Sequence, residues 1–227
     1  MNRPLAPRNL VTAFTLLALT LPPALALGAT APSASHTRHA AAATPQAAVP
    51  APKLQAALRS LWHGHVVQTR AYALAVQDHN TTHAEQAAEG VVANARQLAD
   101  AVGSYYGPAA GQQMLTLLAG HWGAVKAMTD AQARGDNTAQ QAAMAALTAN
   151  AAEIAKFLSG ANPYLSESAV NGLLVAHGAH HAAQIQQVMA DDMQAEAVTW
   201  KAMQAHMDTL ADALAGAIAR QFPHKAS

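Results

Sequence analysis

The chain has 227 residues, 13 basic and 13 acidic side chains, 12 histidines and no cysteine. Charges that cancel give no overall field to gather nucleic acid or an anionic membrane surface. The missing cysteines exclude disulfides, thiolate metal sites and a cysteine nucleophile.

Arg3 and Arg8 precede the apolar run from Leu10 to Leu21, and Ala24-Leu25-Ala26 supplies small residues for cleavage. Residues 1–26 therefore read as a signal peptide cut near Ala26, and the mature protein is expected in the periplasm or outside the cell. The run is about a dozen residues, short of the ~18–20 that cross a bilayer, so no membrane span is expected. Residues 27–52 are mostly Ala, Pro, Ser, Thr and His, too poor in large apolar side chains to offset the entropy of ordering them, and read as a disordered linker. Residues 53–223 form the expected domain and 224–227 a tail.

From Leu54 onward Ala, Leu, Gln and Met dominate and no period of two recurs, which predicts helices and no sheet. Asp78-His79-Asn80-Thr81 ends the first helix, and Thr82 with Glu85 has the spacing of a capping box for the second. Gly107-Pro108 separates the second from the third, because proline is tolerated in a first turn and poorly inside a helix. Gly135-Asp136-Asn137 ends the third and Asn162-Pro163 the fourth. Ser166 is placed to cap the fifth, and Asp191-Asp192 turns into the sixth, which stops at Phe222-Pro223. The expected fold is all-α, a six-helix antiparallel bundle.

The helices match one another with a period of 56 residues. Leu61-Trp62 and His65 align with Leu117-Leu118 and His121, then with Leu173-Leu174 and His177. In the alternate helices Ala93-Asn94-Ala95 aligns with Ala149-Asn150-Ala151, and His206 stands at that place the third time. A gap-free match over three stretches predicts three helical-hairpin repeats. Within each hairpin the two polar residues lie equally far from the turn, so one polar residue per helix is expected at mid-height. Each sits on an apolar stripe: His65 has Leu58, Leu61, Trp62 and Tyr72 on its face, and His121 has Met114, Leu117, Leu118 and Val125. Buried polar groups need partners.

Two readings follow. In the first, His65, His121, His177 and His206 bind a transition metal or metal-bearing cofactor, with Asn94 and Asn150 orienting the rings. His181, four residues after His177, is a further candidate ligand. An all-nitrogen site suits copper, zinc, nickel or iron; Met203 and Met207 beside His206 add copper(I), and a haem held by two histidines is a weaker alternative. The second reading is a structural or protein-interaction bundle whose His/Asn layer is only a buried, hydrogen-bonded register device. Tyr105-Tyr106 and Tyr164, if exposed together, would favour a surface role. No nucleophile or acid-base pair is recognisable around Glu153, Arg70 or Lys126, so catalysis is not expected. His63, His79, His83 and His224 fall outside the layer and are expected in solvent.

Leu61-Trp62 with His65-Val66 and Thr69-Arg70, Tyr105-Tyr106-Gly107, Asn150-Ala151 with Ile154-Ala155, Asn162-Pro163 and Gln221-Phe222-Pro223 form an ordered set across the domain. In these the chain resembles a family of small secreted bacterial helical-bundle proteins with no established activity. Gln68 departs from the aromatic usual in that family before Thr-Arg. The resemblance implies an exported helical bundle in which the layer positions are a signature.

Overall fold

A computed structural model describes residues 50–226; the expected signal peptide, its cleavage site and nearly all of the linker lie outside them. Among the described residues every regular element is a helix: α1 (Pro52–Gln77), α2 (Thr81–Tyr106), α3 (Pro108–Ala133), α4 (Asn137–Ala161), α5 (Glu167–Met189), α6 (Met193–Gln221) and the short α7 (Pro223–Ala226). Residues 224–226 of the segment expected as a tail thus belong to a further helical turn begun at Pro223, with Ala226 buried in the core. No helix among these is long and apolar enough to cross a membrane.

The breaks fall where the punctuation predicts, with one change of cap. Asn80, not Thr82, caps α2 by accepting from the His83 amide at 3.0 Å. Asp136 does the same for Ala139 and Asp192 for Ala195, each at 3.0 Å, and Ser166 accepts from Ala169 at 3.4 Å. The turns before three of these caps share one design. His79, Gly135 and Asp191 have φ of 54°, 68° and 56°. The amides of Asn80, Asp136 and Asp192 then reach back to the carbonyls of Ala75, Ala131 and Gln187, all at 2.9 Å. This is the left-handed C-terminal cap, in which a 6→1 bond satisfies a carbonyl the helix leaves open. Only one of the three positions is glycine.

Consecutive helices pack side by side and α6 returns to α1, so the six long helices close into a ring. Inside it α1, α3 and α5 also touch one another. Arg59 on α1 holds Asp212 on α6 with two bonds of 2.7 and 2.5 Å, and His63 meets Asp208 at 2.9 Å. His63 is therefore a paired, half-buried residue and not the solvated one expected. Gly103 and Gly111 let α2 and α3 approach until a Cβ on Gly111 would lie 3.0 Å from the Ala99 carbonyl oxygen.

Two apolar clusters make up the core. One gathers Leu58, Trp62, Leu98, Met114, Ile154, Leu174 and Leu210, and reaches the end where α7 docks. The other gathers Tyr72, Val91, Trp122, Val125, Leu147 and Ile185 towards the hairpin turns. The mid-height histidines belong to neither.

Candidate metal centre

His65 on α1, His121 on α3 and His177 on α5 come from the three helices that meet in the middle. Their ring centroids form a near-equilateral triangle, 5.4, 5.4 and 5.6 Å on its sides. His181, one turn beyond His177, completes a tetrahedron at 4.3, 5.6 and 5.8 Å from the others. One nitrogen from each ring lies within 4.8 Å of every other. The rings are 3%, 5%, 0% and 1% exposed in chain order.

His206, expected as the fourth ligand, takes a different partner. Its Nε2 donates to the Leu173 carbonyl at 2.8 Å, and its centroid stands 6.5 Å from His177 and 5.3 Å from His180. Asn94 and Asn150 make the corresponding bonds, donating from Nδ2 to the carbonyls of Leu61 at 2.9 Å and Leu117 at 3.0 Å. All three spans are 33 residues. The layer therefore divides: one set of side chains clasps the backbone one turn before each inward histidine, and the other set points at the centre.

The clasp explains the residue that precedes each of these histidines. A Cβ at Gly64 would lie 2.8 Å from Asn94 Nδ2, and one at Gly120 3.1 Å from Asn150 Nδ2. Ala176 occupies the third such place, where the longer His206 side chain makes the corresponding bond to Leu173. Gly64→Ala should displace the Asn94 amide, and the lost buried bond should outweigh the ~0.5–1 kcal/mol that alanine gains in a helix interior, for a net loss of about 1–2 kcal/mol. The Gly64→Ala, Asn94→His pair should recover most of it. Urea melts of the two singles and the double measure that coupling; simple additivity would refute the correspondence.

Burial sets the charge state of the four rings. Desolvation pushes His65 down to about 3, helped by the neighbouring His121. It pushes His121 down to about 4, with the Asn150 amide acting the other way. His177 and His181 are held well below the ordinary value by desolvation and then by the other rings. All four are therefore neutral at pH 7, the form with a lone pair to give. His177 Nε2 and His181 Nε2 face each other at 3.0 Å, while His65 Nε2 and His121 Nε2 are buried with no hydrogen-bond partner.

This arrangement fits a single metal ion. Four imidazoles bound tetrahedrally at ~2.0–2.1 Å place their centroids about 5.2 Å apart, close to the spacing of His65, His121 and His177. Four points with every separation at the 4.8 Å limit would lie about 2.9 Å from their centre, so inward shifts below about 1 Å bring the nitrogens to bonding distance. Four rings with centroids 4.3–5.8 Å apart suit one shared ion better than a porphyrin held between two of them.

Above the cluster, Trp62 meets His65 edge to face at 6.1 Å and lines an apolar cavity of about 40 Å³ with Met114, Leu98, Tyr105 and Tyr106. The paired tyrosines are thus packed against the core and not an exposed patch. Tyr106 Oη accepts from Asn162 at 2.8 Å and donates to Gln221 at 3.2 Å. Below the cluster, Arg70 donates to both oxygens of Glu196 at 2.6 and 2.8 Å, and Gln184 adds a bond of 2.8 Å. No sequence signal singled out this network, because Glu196 lies 126 residues from its main partner.

Comparison with known proteins gives no match to any family model, curated protein or solved structure.

Proposed function

We propose that this protein is a non-catalytic binder of a transition metal ion, held by His65, His121, His177 and His181 in an exported helical bundle built from three copies of one hairpin. The observation that carries the reading is the tetrahedral convergence of four neutral, buried imidazoles, two of them with unpaired Nε2 atoms. Register alone gives no reason to keep the His65 and His121 nitrogens buried and unpaired, each at a cost of about 1–3 kcal/mol; the amide oxygens of Asn94 and Asn150 at the same level are unpaired as well. The register task is already met by Asn94, Asn150 and His206 on their carbonyls. Export rests on the sequence of residues 1–26, and the three-copy origin on the 56-residue recurrence of histidines, clasps and turns.

Thermal melts test the binding. The purified protein is melted with chelator, then with zinc, nickel, copper(II) or reduced copper added singly. A metal present at a hundredfold excess over its dissociation constant should stabilise the fold by about 2.7 kcal/mol. The gain should vanish in a His65→Leu, His121→Leu variant. No shift with any metal would sink the reading.

A further inference from the structure

The charge around the cluster narrows the metal, on the reading that one is bound there. No carboxylate or thiolate belongs to the group. Among the described residues the only buried carboxylate is Glu196, and its charge is already matched by Arg70 through two hydrogen bonds. The other polar neighbours at this level are neutral: Asn94 and Asn150 each leave a buried amide oxygen unpartnered, which offers a cation a dipole but no compensating charge, and His206 is bound to a backbone carbonyl. An ion at the centre would therefore keep its full formal charge, within rings at most 5% exposed and between two apolar clusters. The cost of an uncompensated charge in a low-dielectric interior rises with the square of that charge, so a dication suffers about four times the penalty of a monocation.

We propose that the four-histidine cluster is a site for copper(I), in preference to zinc, nickel or copper(II). Imidazole is a competent copper ligand, whereas the alkali monocations seek oxygen donors that the cluster lacks. A closed d¹⁰ shell imposes no coordination geometry, so the unequal edges suit copper(I) and zinc better than nickel or copper(II), and between those two the charge decides. The His177–His181 nitrogens are already 3.0 Å apart, near the ~3.3 Å edge of a tetrahedral site, and His65 and His121 close it from the other two central helices. A divalent ion would need an anion such as hydroxide to lower the net charge, and the four imidazoles already supply a full tetrahedral shell.

The test is a competition at equilibrium. Purified protein is titrated without oxygen against a chromophoric copper(I) chelator, and in parallel with zinc and nickel against a chromophoric divalent chelator. The expected result is one copper(I) per chain, held at least about a hundredfold more tightly than either divalent ion. His181→Gln should weaken copper(I) by about tenfold or more while far-UV helicity is retained. Zinc or nickel bound as tightly as copper(I) overturns the monovalent assignment and leaves the metal-site reading standing. Unchanged copper(I) affinity in His181→Gln overturns the location, and failure of every metal to bind overturns both.

Discussion

Metal-free protein should lose stability steeply as the pH falls below about 6.5. The four central histidines are neutral in the folded state because burial depresses their pKa values, whereas in the unfolded chain they take up protons near the ordinary value of about 6.5. The unfolded state therefore binds more protons throughout the interval between, and folding weakens as pH drops. Their contribution is intact above about pH 6.5. It is lost progressively on acidification until the folded values are reached, about 3 for His65 and about 4 for His121. At about pH 5 each buried histidine that stays neutral costs about 2 kcal/mol, so His65 and His121 alone remove about 4 kcal/mol. In a domain of this size that lowers the midpoint by roughly 10–15 °C. Urea melts at several pH values in the presence of chelator measure the slope, and His65→Leu should reduce it by the equivalent of one proton. A flat profile between about pH 7 and 5 would mean that the rings are not sealed from water.

The second large effect is expected at Arg70. Its guanidinium, with Trp200 across its face at 5.1 Å, neutralises a Glu196 carboxylate that is 1% exposed and ties α1 to α6. Arg70→Met leaves that carboxylate buried without a cation and should destabilise the fold by about 3–5 kcal/mol. The Arg70→Met, Glu196→Met double variant should regain most of the loss, because two apolar side chains replace both charges. The denaturation midpoints of the two variants and the parent decide this. A mild Arg70→Met variant would show that water reaches the pair.

The contrast between these two groups marks how much was legible in the sequence. Helix ends were readable because short polar side chains mark the turns: Ser166 caps α5 as expected, Asp136 and Asp192 lie in the expected breaks, and only the α2 cap moved, from Thr82 to Asn80. His65, His121 and His177 were readable because each interrupts an apolar stripe at a constant interval. The clasping role of His206 was not, since an inward-facing histidine and one turned to a carbonyl share the same helical face. Gly64, Gly120 and Ala176 did carry a signal: a small residue directly before each inward histidine leaves room for a neighbour's side chain. The placement of His181 depended on rotation about α5 that spacing alone leaves open. The Arg70–Glu196 pair depended on the ring closing, which no local pattern encodes. The turns at His79 and Asp191 were placed from the sequence, but not their left-handed backbone, which glycine advertises only at Gly135.

That ring has one joint unlike the rest. Every neighbouring pair of long helices is linked by the chain except α6 and α1, which are held by packing and by side chains such as Arg59 with Asp212 and His63 with Asp208. With the four imidazoles out of solvent's reach, anything at the centre enters or leaves only when helices part. This unlinked seam can part without stretching a turn. Any ion held at the centre would then exchange at a rate set by how firmly Arg59–Asp212, His63–Asp208 and Arg70–Glu196 close this seam, and a covalent strap between α1 and α6 would slow that exchange.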